Sequence, residues 1–167
     1  MKIGLLSDTH SYFPDEIYKY FAECDEIWHA GDIGSMEVVE KIRAFKPLRA
    51  VWGNIDGHEI RKEFPLDLTV QVNGVKIWMT HIGGYPGKYA ERIKKLLEIT
   101  KPQLFICGHS HILKVIRDKK LNLLHLNPGA AGKEGFHQIR TLMRFKIEEE
   151  QVKDLEVIEI GPRSNKV

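Results

Sequence analysis

The sequence predicts a single α/β domain, and three observations predict it. Short apolar runs alternate with amphipathic stretches through the first half; an Asn-Gly pair then separates two alternating runs; the last third is a succession of strand-like segments. With 167 residues the chain can bury one sizeable core and is short for two. We assign residues 1–160 to the domain and 161–167 to a loose C-terminal tail.

The elements follow in order. "KIGLLS" (Lys2 to Ser7) is an apolar run that ends in polar residues, and beyond Pro14 the stretch Asp15 to Ala22 spaces Ile17, Tyr20 and Phe21 as a helix does. "EIWHAG" reads as a second strand. "SMEVVEKIRAF" reads as an amphipathic helix with Ser35 at its cap and Glu37 just inside, and "LRAVWG" as a third strand. Three βα units in a row predict a partly parallel sheet covered by helices. "LTVQVNGVKIWMTH" predicts a hairpin turning at Asn73-Gly74. "GKYAERIKKLLEIT" places Tyr89, Ile93, Leu96 and Leu97 on one helical face, and Lys101-Pro102 stops that helix before the strand "LFICG". After His111 the runs "ILKVIRD", "LNLLHLNPG", "RTLMRFKIEE" and "QVKDLEVIEI" predict a β meander.

Composition narrows the function classes. Hydrophobic residues at 43% and charged ones at 29% are ordinary for a globular chain and exclude disorder. A net charge of +2 gives no broad basic footprint for nucleic acid, and the basic "ERIKKLLEITK" has the spacing of a solvated helix face. Cys24 and Cys107 stand alone, in no CxxC pair or disulfide framework, which predicts reduced thiols in an intracellular protein. No apolar run approaches the ~20 residues of a membrane helix, and "MKIGLLSDTH" turns polar too soon for a secretory leader. The expectation is a soluble, cytoplasmic protein.

Each predicted strand is followed by a polar cluster: "SDTH" (Asp8, His10), "HAGD" (Asp32), "GN" (Asn54), "TH" (His81) and "CGHSH" (His109, His111). All of these are metal-ligand types. The carboxyl ends of strands in an open α/β sheet border one crevice, where residues distant in sequence meet. A lone histidine or DxH pair at a strand end is ordinarily a hydrogen-bonded structural residue; five such clusters are hard to obtain from independent structural causes. Imidazoles with two carboxylates and an amide oxygen suit Mn, Fe, Co, Ni or Zn, whereas Ca or Mg prefers oxygen and thiolate centres need more cysteine. Seven ligands exceed one ion. They divide into two sites sharing a carboxylate, and metals roughly 3.5–4 Å apart clamp both oxygens of a phosphoryl displacement.

This order of motifs, D-x-H, G-D, G-N, H and G-H-x-H over positions 8 to 111, resembles the calcineurin-like metallophosphoesterase superfamily. The short, insertion-free chain looks most like its small YfcE/MJ0936-type phosphodiesterases, to which the retromer subunit Vps29 is related. The resemblance implies a four-layer α/β/β/α sandwich of two mixed sheets. It implies that Asp8, His10 and His111 hold one metal and Asn54, His81 and His109 the other, with Asp32 bridging. It further implies a hydroxide between the ions as nucleophile, Asp32, Asn54 and His81 at the chemistry, and two divalent transition-metal ions, Mn foremost. A homo-oligomer is an expectation by the same analogy.

Ile55 departs from the pattern. Many members carry a histidine after the asparagine as proton donor or transition-state stabiliser, and this chain reads "GNID". General acid catalysis contributes about 10²–10⁴, so its loss predicts a good leaving group, a slower enzyme or another donor. Asp56 is expected to be structural, binding a nearby ligand or a loop amide, and His58 to lie in a surface loop, with that of a substitute proton donor as its alternative role. Gly83 and Tyr85 in "HIGGYPGKY" are candidates for the substrate approach, beside Asn54. Ser7, Thr9 and Asn127 are expected to order their loops, His29, His125 and His137 to be structural or at the surface, and Trp28, Trp52 and Trp78 to be core.

The leading expectation is a metal-dependent phosphodiesterase acting on a small or nucleotide-like diester. The alternative is a non-catalytic metal-binding scaffold on the same fold, as in Vps29, which Ile55 keeps open. A phosphomonoesterase would be expected to set a cation over the terminal phosphate, and a nuclease would need a basic groove; the motifs offer neither.

Overall fold

The computed structural model describes residues 1–164. The first half follows the predicted units: β1 (Lys2–Leu6), α1 (Glu16–Phe21), β2 (Glu26–His29), α2 (Met36–Phe45) and β3 (Leu48–Ala50). A short helix absent from the sequence expectation, α3 (His58–Glu63), follows, with Ile60 as its buried anchor. The hairpin is β4 (Asp67–Val72) and β5 (Val75–Thr80), paired from Val72↔Val75 outward. Asn73 and Gly74 both take positive φ, 43° and 82°, as a two-residue turn matched to strand twist requires. The remaining elements are α4 (Glu91–Thr100), β6 (Leu104–Ile106), β7 (Lys114–Asp118), β8 (Leu123–Asn127), β9 (Ile139–Glu148) and β10 (Gln151–Pro162). Ser35 does precede α2, but its side chain makes no capping hydrogen bond.

Two five-stranded mixed sheets result, in the orders β10-β9-β1-β2-β3 and β4-β5-β6-β8-β7. Three apolar layers define the sandwich. Ile17, Phe21, Val38, Val39 and Ile42 of α1 and α2 pack on Leu6, Ile27 and Leu142 of the first sheet. Ile3, Leu5, Trp28, Met143 and Phe145 meet Ile77, Met79, Leu104 and Ile106 between the sheets. Ile93 and Leu97 of α4 cover Trp78 and Phe105 on the outside of the second. This is the α/β/β/α architecture the resemblance implied.

Two expectations need correction. The last four strands are not a meander: β7 and β8 belong to the second sheet, with β8 parallel to β6, while β9 lies antiparallel to β1 in the first. The reason lies in β9, whose Leu142 faces the helices while Met143, Phe145 and Ile147 face the other sheet. A strand apolar on both faces sits inside a sheet. Nor does the chain loosen at 161. β10 continues through Gly161 and Pro162, paired with Arg140 and Ile139, and Arg140 donates to the carbonyls of Ile160 and Pro162, each at 3.1 Å. Residues 165–167 lie outside the described part of the chain.

Among the described residues, no helix is long and apolar enough to cross a membrane.

Candidate metal centre

Asp8 and His10 follow β1, Asp32 follows β2 and Asn54 follows β3, all on the first sheet; His81 follows β5 and His109 and His111 follow β6, on the second. The seven candidates therefore converge where the carboxyl ends of both sheets meet. Asp8, His10 and His111 form one group with ligand atoms within 4.8 Å of one another, and Asp32, His81 and His109 form a second.

Asp32 stands between the groups. Its Oδ2 lies 3.5 Å from His10 Nε2 and 3.2 Å from His81 Nε2. Asp8 Oδ1 lies 3.2 Å from His111 Nε2 and 3.9 Å from the Nε2 atoms of His10 and His81. Asn54 Oδ1 is 3.1 Å from His81 Nε2. His81 Nδ1–H donates to the Ala30 carbonyl at 2.8 Å, which leaves the Nε2 lone pair facing an amide oxygen and a carboxylate. Asp8 Oδ1 and His10 Nε2 are buried with no hydrogen-bond partner. Buried polar atoms without partners are costly, and lone pairs converging on lone pairs are relieved by a cation. The donor set present fits divalent metal ions.

The backbone is bent to this purpose. Five of the seven candidates take left-handed φ: Asp8 54°, His10 46°, Asp32 55°, His109 67° and His111 57°. Such non-glycine positions cost about 1–3 kcal/mol each in the worst cases and persist where surrounding contacts dictate them. Those contacts are visible: Asp8 N–H donates to Gly31 O (3.0 Å), His10 N–H to Asp32 O (3.1 Å) and Gly132 N–H to Asp8 O (3.0 Å). Asp32 Oδ1 accepts the Ile55 N–H at 3.0 Å and Asp8 Oδ2 the His109 N–H at 3.1 Å. Gly53 has to be glycine, because a Cβ there would overlap Asp32 Oδ1 and its backbone nitrogen.

Electrostatics bind the centre together. Burial opposes the charge on both His81 and Asp32, yet the attraction between the imidazolium form of His81 and the carboxylate prevails, raising the His81 pKa and lowering that of Asp32. Attraction between the Asp8 carboxylate and the imidazolium form raises His111, whereas burial and the neighbouring His81 lower His109.

The supporting residues divide into foreseen and missed. Asp56 is buried, as a loop-amide acceptor should be: its oxygens take the N–H groups of Gly34 (2.8 Å) and Gly53 (2.7 Å). Asn127 orders the β6–β7 loop through Gly108 O and Ser110 Oγ. His29 is structural, bonded to Thr9 Oγ1 at 2.9 Å, with burial pushing its pKa down to about 4. Trp28 and Trp78 are core, but Trp52 is only half-buried, with the Arg61 guanidinium 4.2 Å over its ring. His58 is exposed and starts α3. Gly83 packs against Cys107 and Phe105, and the Tyr85 ring lies under the Lys114 ammonium at 4.4 Å, so neither contact is with the ligand candidates.

Sequence reasoning gave His137 only as structural or at the surface, without its contact to His111, and passed over Arg61. His137 Nε2–H donates to Gly132 O (3.0 Å), so its Nδ1 accepts from His111 Nδ1–H (3.3 Å) and turns the His111 Nε2 lone pair toward Asp8. Nothing in "KEGFHQIR" announces that contact. Arg61 donates to the carbonyls of Asn54 (3.2 Å) and Asp56 (2.6 Å); the signal available was its position one turn into an amphipathic "HEIRKE".

Two facing sheets with helices outside, and paired histidine–carboxylate groups at the strand ends, define a metal-dependent hydrolase of phosphate esters. The chain belongs to the calcineurin-like phosphoesterase superfamily, whose domain matches residues 1–150. It is 28% identical over 137 residues to a probable metallophosphoesterase of Methanothermobacter thermautotrophicus, covering 78% of this chain and 77% of that one. It is 25% identical over 146 residues to the phosphodiesterase MJ0936 of Methanocaldococcus jannaschii, covering 77% and 83%. Among solved structures, an archaeal phosphodiesterase superposes with a TM-score of 0.73 at 22% identity, over 96% of this chain and all (100%) of that one. Zinc-bound Vps29 of Entamoeba histolytica superposes with 0.71 at 16% identity, over 95% and 99%. These last two likenesses are of fold. The family implies divalent metal ions, and the residues at the strand ends are suited to hold them.

Proposed function

We propose that this enzyme is a phosphodiesterase working with two divalent transition-metal ions, Mn foremost and Ni, Fe, Co or Zn as substitutes, on a small or nucleotide-like diester. The observation that carries the reading is the position of Asp32, whose single Oδ2 faces both His10 and His81. Asp8, His10 and His111 would hold one ion and Asn54, His81 and His109 the other. Bound there, the pair would supply Lewis acidity toward the phosphoryl oxygens and a lowered pKa for water. The protein's own part is orientation. His81 is fixed by Ala30 O and His111 by His137, Asp32 is held by the Ile55 amide, and Asn54 is exposed at the mouth, where it can meet substrate.

The flanking cations favour a diester over a monoester. Arg92 is paired bidentately with Asp67 at 2.7 and 3.0 Å. Arg61 is stacked on Trp52 and bonded to two loop carbonyls. The charge of Arg92 is already paired, and Arg61 is held to the ring and the loop carbonyls rather than aimed at a terminal phosphate. The exposed Ile55, in place of the proton donor found in many relatives, favours a good leaving group. It also sustains the second reading, a metal-binding scaffold of the Vps29 kind.

The test uses metal-stripped protein, a chromogenic diester and the matching monoester, with Mn, Ni, Zn and Mg restored separately. Diester turnover should return with a transition metal and vanish in Asp32→Ala and Asn54→Ala. Two metals bound with neither ester turned over would sink the enzyme and support the scaffold; monoester preference would sink the diesterase.

A further inference from the structure

We propose that the substrate carries one apolar, ring-sized ester arm, and that this arm is held in a cleft beside the metal centre. The inference rests on the diesterase reading above. A cavity of about 310 Å³ opens between the β3–α3 loop and the start of α4, walled by Trp52, Leu66, Ile82 and Ala90, with Asn54 and His81 also in its lining. Its size falls at the lower end of the roughly 300–1,000 Å³ of small-ligand pockets. Leu66 is 39% and Ile82 45% exposed. Apolar side chains exposed singly need no explanation, but these line one concavity together with two candidate ligands, as a substrate site does.

The cleft also lacks what a second phosphate would need. Its one cation, Arg92, gives two guanidinium nitrogens to Asp67 and a further contact to Thr80 Oγ1 at 3.1 Å. Its charge is already paired, so the cleft presents hydrocarbon rather than an anion site. Because Asn54 and His81 line the same cavity, a phosphoryl group held by them lies beside this hydrocarbon, and an ester arm extending into it sheds apolar surface from water.

Phenylphosphonate and methylphosphonate share a phosphorus head and differ only in that arm. Their dissociation constants, measured by calorimetry on the Mn-loaded protein, separate the arm from the head. Phenylphosphonate should bind at least about tenfold more tightly, since even one methylene in an apolar pocket is worth about 10–200-fold. Leu66→Ser and Ile82→Ser, both at partly exposed positions, should each bring the ratio most of the way to unity. Equal affinities in the parent protein, or a ratio that survives both substitutions, would overturn the proposal. Diester turnover by the same samples distinguishes the two readings. Turnover without phenyl preference defeats the arm cleft alone; phenyl preference without turnover defeats the diesterase reading and leaves the cleft as the arm site of a phosphorus-bearing ligand.

Discussion

Replacing Asp56 by asparagine tests whether the loops of the metal centre are held by a single buried carboxylate. Asp56 reaches the backbone N–H of Gly34, two residues beyond Asp32, and that of Gly53, just before Asn54. It thus ties together two loops that carry candidate ligands. Hydrogen bonds to a charged acceptor contribute about 1.5–3 kcal/mol each. Asparagine is of the same size and keeps one acceptor, but it turns its NH₂ toward the other N–H, so one bond is lost and two donors face each other. We expect a loss of about 3 kcal/mol, which for a chain of this length lowers the unfolding midpoint by about 6–12 °C. Differential scanning calorimetry of the metal-free protein reads the first effect. Titration calorimetry with Mn reads the second, a fall in affinity of about 10–100-fold, the range for supporting residues of metal ligands. A midpoint within about 2 °C of the parent, together with unaltered Mn affinity, would refute the clamp.

Three further outcomes are expected. Gly53→Ala drives a Cβ into the Asp32 backbone as well as its carboxylate; the side chain can turn away and the backbone cannot, so thermal melts should show about 1–3 kcal/mol of destabilisation, and unchanged stability would mean that the loop shifts freely. His137→Phe removes the acceptor for His111 Nδ1–H, and the affinity of one of the two Mn ions should fall by about 10–100-fold while the other is retained; equal loss at both, or at neither, contradicts its assigned role. His125 is buried and held neutral, its pKa pushed down to about 4 by burial and by Lys114. The unfolded chain protonates it below about pH 6.5, so the stability from keeping it neutral is complete above that pH and is lost as pH falls toward about 4. Linkage gives about 2 kcal/mol between about pH 7 and pH 5; the fall in urea stability over that range should be smaller by this amount in His125→Phe, and an identical pH dependence would show that the site charges freely.

What could be read from the sequence follows from where the information is local. Strand, polar cluster and helix succeed one another within a dozen residues, so β1 to β3, the Asn73-Gly74 hairpin and all seven candidate ligands were legible. Asp56 was legible as a structural acid, but the sequence left open whether it would bind a nearby ligand or a loop amide; the structure shows two loop amides. The partnership of β9 with β1 was not: it joins segments at opposite ends of the chain, and a run of alternating residues does not say which sheet it enters. The contact of His137 with His111 and the apolar cleft were hidden for the same reason. The cleft walls come from the β3–α3 loop, the approach to β4 and the β5–α4 loop, and each piece alone reads as an ordinary loop with one hydrophobic residue.

The division of the candidate ligands between the sheets has a mechanical consequence. Asp8 and His10 ride on the first sheet and their partner His111 on the second; Asp32 rides on the first and its partners His81 and His109 on the second. Neither group can assemble on one sheet alone, so a slide of one layer across the other misaligns both groups at once. Metal affinity at the proposed centre would in this sense gauge how the two sheets are seated, and a methyl group lost from the layer between them at Ile106 or Leu5 should register at an ion it never touches.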